Sequence, residues 1–380
     1  MSCTMSRFKG APKSARQEGF AVDVLGRVTM AEVAERAGVS RSAVSAAFTD
    51  RPTTVGLNPA TRAQIHKIAK ELGYRPNILS RSFIKQRSYL IGMLGSESFF
   101  LFALETIKGI EDAIENTDFS LLSFYHGSGA DDQAKHLQKS ISRRVDGMII
   151  VGAPERSDGP NHRLVRQLQK AGMPIVQIHR RMFSDVPLVS MDDERSGYLA
   201  ARHLIDIGHR QIAHVTHSEY QDQDLPGLNS NAKSRCDGYQ RAMREAGLEP
   251  AVLTFDRSGF YGLGSNDYSG FCAEVAKRIA SSAPRFTGVT TFNDYTTIGL
   301  LHDLGRLGLR VPEDVSIIGY DNAEAGMLMH PALSTVRPKL FDIGHVAGKM
   351  ILDMMEGQSA GDVLLQPELV VRSSTAGVVG

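Results

Sequence analysis

The sequence has no tryptophan and only three cysteines in 380 residues. Cys3, Cys236 and Cys272 are too few and too scattered for a disulfide framework or a metal site, so we expect no bound metal and a reducing, cytoplasmic location. No apolar run approaches the roughly 20 residues that a membrane span needs. Residues 1–27 are rich in Gly, Ser and Ala and lack the apolar core of a secretory signal. These absences argue against an integral membrane protein and against a disulfide-rich secreted one.

The usual sequence signatures of catalysis are also missing. There is no Gly-x-Gly-x-x-Gly after a predicted strand, no Gly-x-x-x-x-Gly-Lys-Ser/Thr loop and no His-Glu-x-x-His. The twelve histidines do not cluster, and the acidic run at 192–194 is typical of a capped helix start. We therefore expect a protein that is not an enzyme, has no catalytic residues and needs no cofactor.

Charge is distributed unevenly along a chain that is long enough for two or three folded units. Residues 1–90 carry 15 Lys and Arg against 6 Asp and Glu, a net charge of +9, whereas the remainder carries a net charge of −8. A basic unit at one end favours contact with a polyanion, because Lys and Arg that neutralise phosphates release condensed counterions. A basic, solvated tail is the alternative on charge alone.

The basic segment contains the pattern of a helix-turn-helix. Thr29 precedes a stretch with helical periodicity, and Glu32 stands three residues later, as in a capping box. After a glycine, Ser40 caps a second short helix running to about residue 48. A third amphipathic helix is predicted over 59–72. A small helical hairpin without a role in DNA binding is the alternative.

In a helix-turn-helix, the second helix enters the major groove with its first residues toward the base edges. Arg41, Ser42 and Ala46 are the predicted exposed readers. Arg41 alone among them can make a bidentate contact to guanine. The candidate DNA contacts of this unit are Thr29, Ser40, Arg41, Ser42, Ser45 and Ala46.

From about residue 88 onward, short β-rich runs alternate with helical patterns, which predicts parallel sheets with helical crossovers. Some 290 residues exceed one comfortable core of this kind, so we expect two α/β lobes with a ligand crevice at the carboxyl ends of the strands. The predicted strands are 89–94, 120–124, 147–151, 175–178, 189–191, 212–216, 288–292 and 315–319.

Several motifs along the chain, in one consistent order, resemble the lactose/galactose-repressor family of transcriptional regulators. The resemblance extends over about residues 28–375. The matching segments are 28–40 (VTMAEVAERAGVS), 72–77 (LGYRPN), 79–83 (LSRSF), 143–150 (RRVDGMII), 203–210 (HLIDIGHR), 311–321 (VPEDVSIIGYD), 333–338 (LSTVRP) and 367–372 (PELVVR).

The resemblance implies an α/β fold with an N-terminal helix-turn-helix headpiece and a two-lobed body with parallel sheets, like that of periplasmic binding proteins. We expect the chain to cross between the lobes near 187, 337 and 358. The expected domains are a flexible extension at 1–27, the headpiece at 28–76, a hinge helix and linker at 77–87, and an effector-binding and dimerisation body at 88–375, with an N-terminal lobe at about 88–187 and 338–357 and a C-terminal lobe at about 188–337 and 358–375.

The hinge is a short segment that is too brief to form a stable helix alone. In the family, two such helices pair in a dimer and insert an apolar side chain between bases from the minor groove. Asn77, Ser80 and Phe83 are therefore further candidate DNA contacts. Phe83 stands where the family usually carries Leu; its packing on the body is the alternative.

The resemblance also implies effector-binding residues at the ends of the body strands. Arg235 matches an arginine that commonly meets the effector, but His179 and Arg180 stand where the family more often has Asp followed by Arg. An inter-lobe salt bridge between Arg235 and Asp321 is one alternative, and helix-start chemistry for Asn293 and Asp294 is another. The candidate effector contacts are Phe100, His179, Arg180, Arg235, Asn293, Asp294 and Asp321.

The function implied is that of a sequence-specific DNA-binding regulator, most simply a repressor, controlled by a sugar or sugar derivative. Arg180 favours an anionic effector. We expect a homodimer, with the helix at 104–114 as a candidate contact or, alternatively, an ordinary sheet-packing helix. A sugar-binding transport or chemoreceptor component and an architectural DNA binder without ligand control are the competing hypotheses.

Overall fold

A computed structural model describes residues 28–48, 56–74, 87–96, 100–126, 130–151, 160–221, 226–255 and 272–378. The chain divides into two compact units, one ending at Gln86 and the other, the body, beginning at Arg87. The predicted extension at 1–27 and nearly all of the hinge at 77–87 lie outside the described residues. Both therefore remain predictions.

The headpiece consists of three helices, α1 (Met30–Ala37), α2 (Arg41–Ala47) and α3 (Pro59–Leu72), as the sequence predicts. Their shared core contains Val33, Val44 and Ile65, each fully buried. Apolar residues at helical spacing form one buried side on each helix, which is why three such short helices are stable only together.

The body contains two six-stranded sheets in its described part. All eight predicted strands are present within two residues of their predicted ends, and four further strands were missed. The first sheet consists of β1 (Leu90–Ser96), β2 (Ser120–His126), β3 (Gly147–Val151), β4 (Ile175–Ile178), β5 (Leu188–Met191) and β11 (Val363–Leu365). The second consists of β6 (Ile212–His217), β7 (Ala251–Phe255), β8 (Gly288–Thr291), β9 (Ser316–Tyr320), β10 (Ser334–Arg337) and β12 (Glu368–Val370).

Helices cover both faces of each sheet. The first lobe contains α4 (Phe100–Ile114), α5 (Ala130–Ser142), α6 (Pro160–Lys170) and α12 (Leu340–Met355). The second lobe contains α7 (Asp193–Asp206), α8 (Pro226–Glu245), α9 (Ala273–Ala280), α10 (Asp294–Arg306) and the short α11 (Glu324–Leu328). No helix in these described parts of the chain is long and apolar enough to cross a membrane.

The strand order of the first sheet is β11-β5-β4-β3-β1-β2, and that of the second is β12-β10-β9-β8-β6-β7. Every neighbouring pair is parallel except β10 and β12. In parallel sheets the carboxyl ends of the strands share one edge, so the loops that leave this edge are where a ligand crevice forms.

Two of the three predicted crossings between the lobes lie too early in the sequence. Leu188–Met191 pairs with β4 and therefore belongs to the first lobe, so the first crossing follows Met191 rather than residue 187. Val363–Leu365 pairs with β5, so the last crossing lies between Leu365 and Glu368 rather than near 358. The crossing after Arg337 agrees with the prediction. The errors concern short strands at one side of a sheet, whose partner is decided by long-range pairing.

Candidate functional site

The second headpiece helix exposes a small polar face. Arg41 and Ser42 are exposed, as predicted, and the candidate DNA contact Ser45 is exposed as well. Ala46 is only 3% exposed, so the prediction that it is an exposed reader is wrong. With Ala43 and Ala47 it forms the buried side of α2, because residues three and four apart share one face of a helix.

Local capping sets the start of α1 and α2. The Thr29 hydroxyl accepts a hydrogen bond from the Glu32 amide at 3.3 Å, and the Glu32 carboxylate accepts one from the Thr29 amide at 2.6 Å. The Ser40 hydroxyl accepts from the amide of Ala43 and lies 2.8 Å from the Ser42 hydroxyl. These bonds satisfy the free amides of each first turn and hold the N-terminal end of α2 in one orientation.

The hinge candidates Asn77, Ser80 and Phe83 lie outside the described residues, as does the side chain of Phe100 at the start of α4. Their roles in DNA and effector binding therefore remain predictions.

In the body, the predicted effector arginine is held by three neighbours. Arg235 of α8 donates from Nε to the Asp193 carboxylate at 2.8 Å and from Nη1 to the Phe292 carbonyl at 2.6 Å. Its guanidinium lies 3.3 Å from the centre of the Tyr320 ring. Arg235 is 9% and Asp193 8% exposed, so the ion pair is almost fully removed from water. A buried pair of this kind fixes the arginine in one orientation, because each charge depends on the other for compensation.

An asparagine that sequence reasoning missed joins the two lobes. Asn231 donates from Nδ2 to the Asp193 carboxylate at 2.6 Å and to the carbonyl of His179 at 3.2 Å. His179 follows β4 in the first lobe, whereas Asn231 and Asp193 belong to helices of the second. The available signal was helical spacing, since Asn231 stands one turn before Arg235 on the same face of α8.

Asp321 and Arg235 both lie in the second lobe, so a salt bridge between them cannot join the lobes. Asp321 follows the last residue of β9, half-buried, with the unusual φ of 115°. Asn293 is the N-cap of α10, where its side chain accepts from the Thr296 amide at 2.9 Å. The predicted alternative of helix-start chemistry therefore holds for Asn293.

Asp294 does not present its carboxylate to the crevice. It is fully buried, and its two oxygens accept from the Thr335 hydroxyl and the Ala323 amide, both at 2.8 Å. Its predicted role as a direct effector contact is corrected: it holds the residues around Asp321 in place. The prediction gave Asn293 and Asp294 the same role because they are adjacent, but consecutive residues at a helix start point in different directions.

Burial shifts the pKa values of Asp294, Asp321 and His179. Burial raises the pKa of Asp294 to about 6 and raises that of Asp321 well above its ordinary value. Burial, with Arg180 and Arg235 nearby, lowers the pKa of His179 to about 3, so this ring is neutral at physiological pH. The site around Asp321 thus combines arginine cations with a carboxyl group of raised pKa, a set that can donate and accept hydrogen bonds.

Comparison with known proteins agrees with this architecture. Residues 29–77 match the model for bacterial regulatory proteins of the lacI family, and residues 201–375 match the periplasmic binding protein-like domain. The HTH-type transcriptional repressor PurR of Vibrio vulnificus is 30% identical over 351 residues, which cover 91% of this chain and 98% of PurR.

Two solved structures are similar over nearly the whole chain. The transcriptional regulator CelR in complex with cellobiose has a TM-score of 0.61 and 25% identity, and the match covers 92% of this chain and 100% of CelR. The lac repressor dimer bound to operator and the anti-inducer ONPF has a TM-score of 0.71 and 22% identity. The match covers 92% of this chain and 99% of the repressor chain and shows that the two have the same fold.

A helix-turn-helix headpiece and a two-lobed body with a polar crevice define a DNA-binding transcriptional regulator. The chain belongs to the lacI family of bacterial regulatory proteins. The relatives named above are regulators of transcription rather than enzymes.

Proposed function

We propose that this protein represses transcription and that a sugar or sugar derivative, bound between its lobes, sets its affinity for operator DNA. The observation that carries the proposal is the buried Arg235, fixed by Asp193 close to Asp321, with Asn231 reaching across to the first lobe. Charged and amide groups in such an arrangement suit the hydroxyl groups of a sugar. The complex of CelR with cellobiose supports this effector class, and Arg180 adds a cation that suits a phosphorylated sugar.

In this proposal the chain acts in the cytoplasm as a homodimer without catalytic activity. Two headpieces, at 28–76, read the half-sites of a pseudo-palindrome, and the hinges at 77–87 pair between them. The lac repressor structure, a dimer on its operator, supports this assembly. Leu104 on α4 and Leu328 at the end of α11 are 62% and 81% exposed, and a second copy would cover such side chains.

The assembly is tested by sedimentation of the full chain. We expect Leu328→Lys to shift the protein toward monomer, because a charge would be buried at the interface. Leu307→Lys, at an exposed leucine just after α10, is the matched control. Equal sedimentation of the Leu328→Lys variant and the unaltered protein would remove α11 from the interface.

The DNA-binding proposal is tested by selecting purified full chain against random duplexes at about 0.15 M salt, where nonspecific phosphate binding is weak. We expect one pseudo-palindromic site with a deformable pyrimidine–purine step at its centre. If no site is enriched, whether or not sugars and sugar phosphates are added, the result would favour the transport or chemoreceptor hypothesis instead.

The effector class is tested by the thermal unfolding of the full chain with cellobiose, ribose and sugar phosphates. A ligand that binds only the folded state raises the midpoint as its concentration passes the Kd. We expect Asp321→Asn to reduce this rise. DNA binding at the selected site that responds to none of these compounds would favour an architectural DNA binder.

A further inference from the structure

The backbone that carries Asp321 has an unusual conformation. Asp321 and Asn322 have φ values of 115° and 55°, two successive residues on the left-handed side. Asn tolerates this region, but Asp at 115° lies outside the ordinary left-handed well. Such a conformation persists only when its surroundings hold it. We call residues Asp321, Asn322 and Ala323 the Asp321 turn.

Each backbone amide of the Asp321 turn has a partner. The Asp321 amide donates to the Val336 carbonyl at 3.0 Å and the Asn322 amide to the Thr335 hydroxyl at 3.2 Å. The Ala323 amide donates to Asp294, whose other oxygen accepts from Thr335. Two of the three amides thus bond directly to β10, and the third reaches it through Asp294.

A second strand is joined to the turn by one arginine. Arg372, two residues after β12, donates from Nη2 to the Asn322 side-chain oxygen at 2.6 Å and from Nη1 to the Leu333 carbonyl at 2.6 Å. Leu333 immediately precedes β10. A guanidinium suits this position because its planar fork reaches two separate acceptors at once, which a lysine ammonium on a flexible stem does not reproduce.

The two strands that hold the Asp321 turn are the same two through which the second sheet joins the first lobe. β10 leads through residues 338–339 into α12, and β12 begins three residues after the end of β11. They pair antiparallel, with Thr335 opposite Val370. These are two of the three connections between the lobes, the third running from β5 into α7. A change in the angle between the lobes therefore involves both strands, because the chain is continuous there.

We propose that Arg372 is a positioning residue that locks the Asp321 turn to the hinge strands β10 and β12, so that the turn and the angle between the lobes change together. The proposal rests on the proposed function in assigning Asp321 to the effector. In that setting, a ligand that moves Asp321 pulls on Asn322 and Thr335, and through them on both strands. Arg372 then connects effector binding to lobe movement without touching the effector.

The test uses two single variants of the full chain, Arg372→Gln and Asn322→Ala. Each removes one partner of the hydrogen bond between Arg372 and Asn322. Arg337→Gln is the matched control, since Arg337 bridges β10 and β12 through an exposed ion pair with Glu368. The first measurement is hydrogen exchange. We expect the amides of the Asp321 turn to exchange about tenfold faster in both test variants and unchanged in the control. Unchanged exchange in both would overturn the proposal.

The second measurement is the distance between spin labels on exposed Lys139 of α5 and Lys277 of α9, each replaced by cysteine, without ligand. We expect both test variants to broaden or shift this distribution, whereas the control matches the unaltered protein. Faster exchange with an unchanged distance would mean that Arg372 only stabilises the turn locally, which overturns the coupling. An equal shift in the control would overturn the specific role of Arg372.

Neither measurement requires an operator or an effector. Failure of this proposal therefore leaves the duplex selection and the sugar screen unaffected. Failure of those two experiments likewise leaves the exchange and distance results interpretable. If Arg372→Gln does not fold, Asn322→Ala alone still decides the outcome, because it leaves the guanidinium and its bond to Leu333 in place.

Discussion

Gly197 of α7 packs directly against the carbonyl oxygen of Arg235 on α8, so closely that a Cβ atom on Gly197 would overlap that oxygen. Gly238 makes the reciprocal approach to Glu194. The glycines let the two helices touch backbone to backbone, which brings Asp193, at the first turn of α7, within hydrogen-bond distance of Arg235. Arg235 is therefore placed by a helix crossing as well as by its ion pair.

Gly197→Ala is expected to separate these helices and destabilise the body by about 1–3 kcal/mol, the usual cost of forcing extra atoms into a packed interior. Urea unfolding measures the change. Gly305→Ala is the matched control, because a Cβ atom on Gly305 of α10 would meet no other described atom within 4 Å and alanine favours a helix. A Gly197→Ala protein as stable as this control would contradict the proposed close crossing.

Breaking the buried pair is expected to cost about 3–5 kcal/mol for either Arg235→Met or Asp193→Asn, because each leaves an uncompensated group in the interior. The double variant should cost clearly less than the sum. Denaturant unfolding of the unaltered protein, the two single variants and the double variant gives the coupling free energy between the two side chains. Arg241→Met removes an exposed ion pair between the same two helices and should change stability by no more than about 1 kcal/mol. Additive effects of the two buried substitutions would rule out a coupled pair.

The pH dependence of stability is expected to reflect buried His214. Burial, with Arg235 nearby, lowers the pKa of His214 from 6.5 to about 3. Below pH 6.5 the unfolded chain therefore takes up a proton that the folded chain does not, so this residue makes stability fall as the pH falls toward 3. His214→Gln should reduce the slope of the free energy of unfolding against pH, between about pH 6 and pH 4, by up to about 1.4 kcal/mol per pH unit. Exposed His302→Gln is the control, and an unchanged slope in the His214 variant would contradict the assignment.

Arg41→Ala is expected to weaken binding to the selected DNA site by about 1–3 kcal/mol and to relax the choice of base at one position in each half-site. The reason is the loss of a bidentate contact to guanine. Fluorescence anisotropy with the selected site and with single-base variants measures both effects. Lys67→Ala, at an exposed position of α3, should leave base preference unchanged. An equal loss on all sequences would place Arg41 against phosphate rather than a base.

Much of the architecture could be predicted because it depends on local patterns. Thr29 with Glu32, and Ser40, are cap residues whose bonds reach only three positions along the chain, and all three predicted helix starts agree with the structure. The buried strands of the body were found as short β-rich runs. The strand β7 was missed, and so were β10, β11 and β12, because three or four residues carry little periodic signal.

The helix-turn-helix, the alternation of strands and helices, and the position of Asp321 directly after a strand follow from the sequence, since these depend on neighbouring residues. Arg235, expected near a strand end, lies instead within the helix α8. Tertiary structure alone decided that Arg235 pairs with Asp193, 42 residues away, that Ala46 is buried, and that Leu188–Met191 completes the first sheet. It also decided that Asp294 supports the Asp321 turn. Such outcomes depend on which distant segments of the chain pack together. Two side chains can stabilise each other only after the fold has brought them into contact.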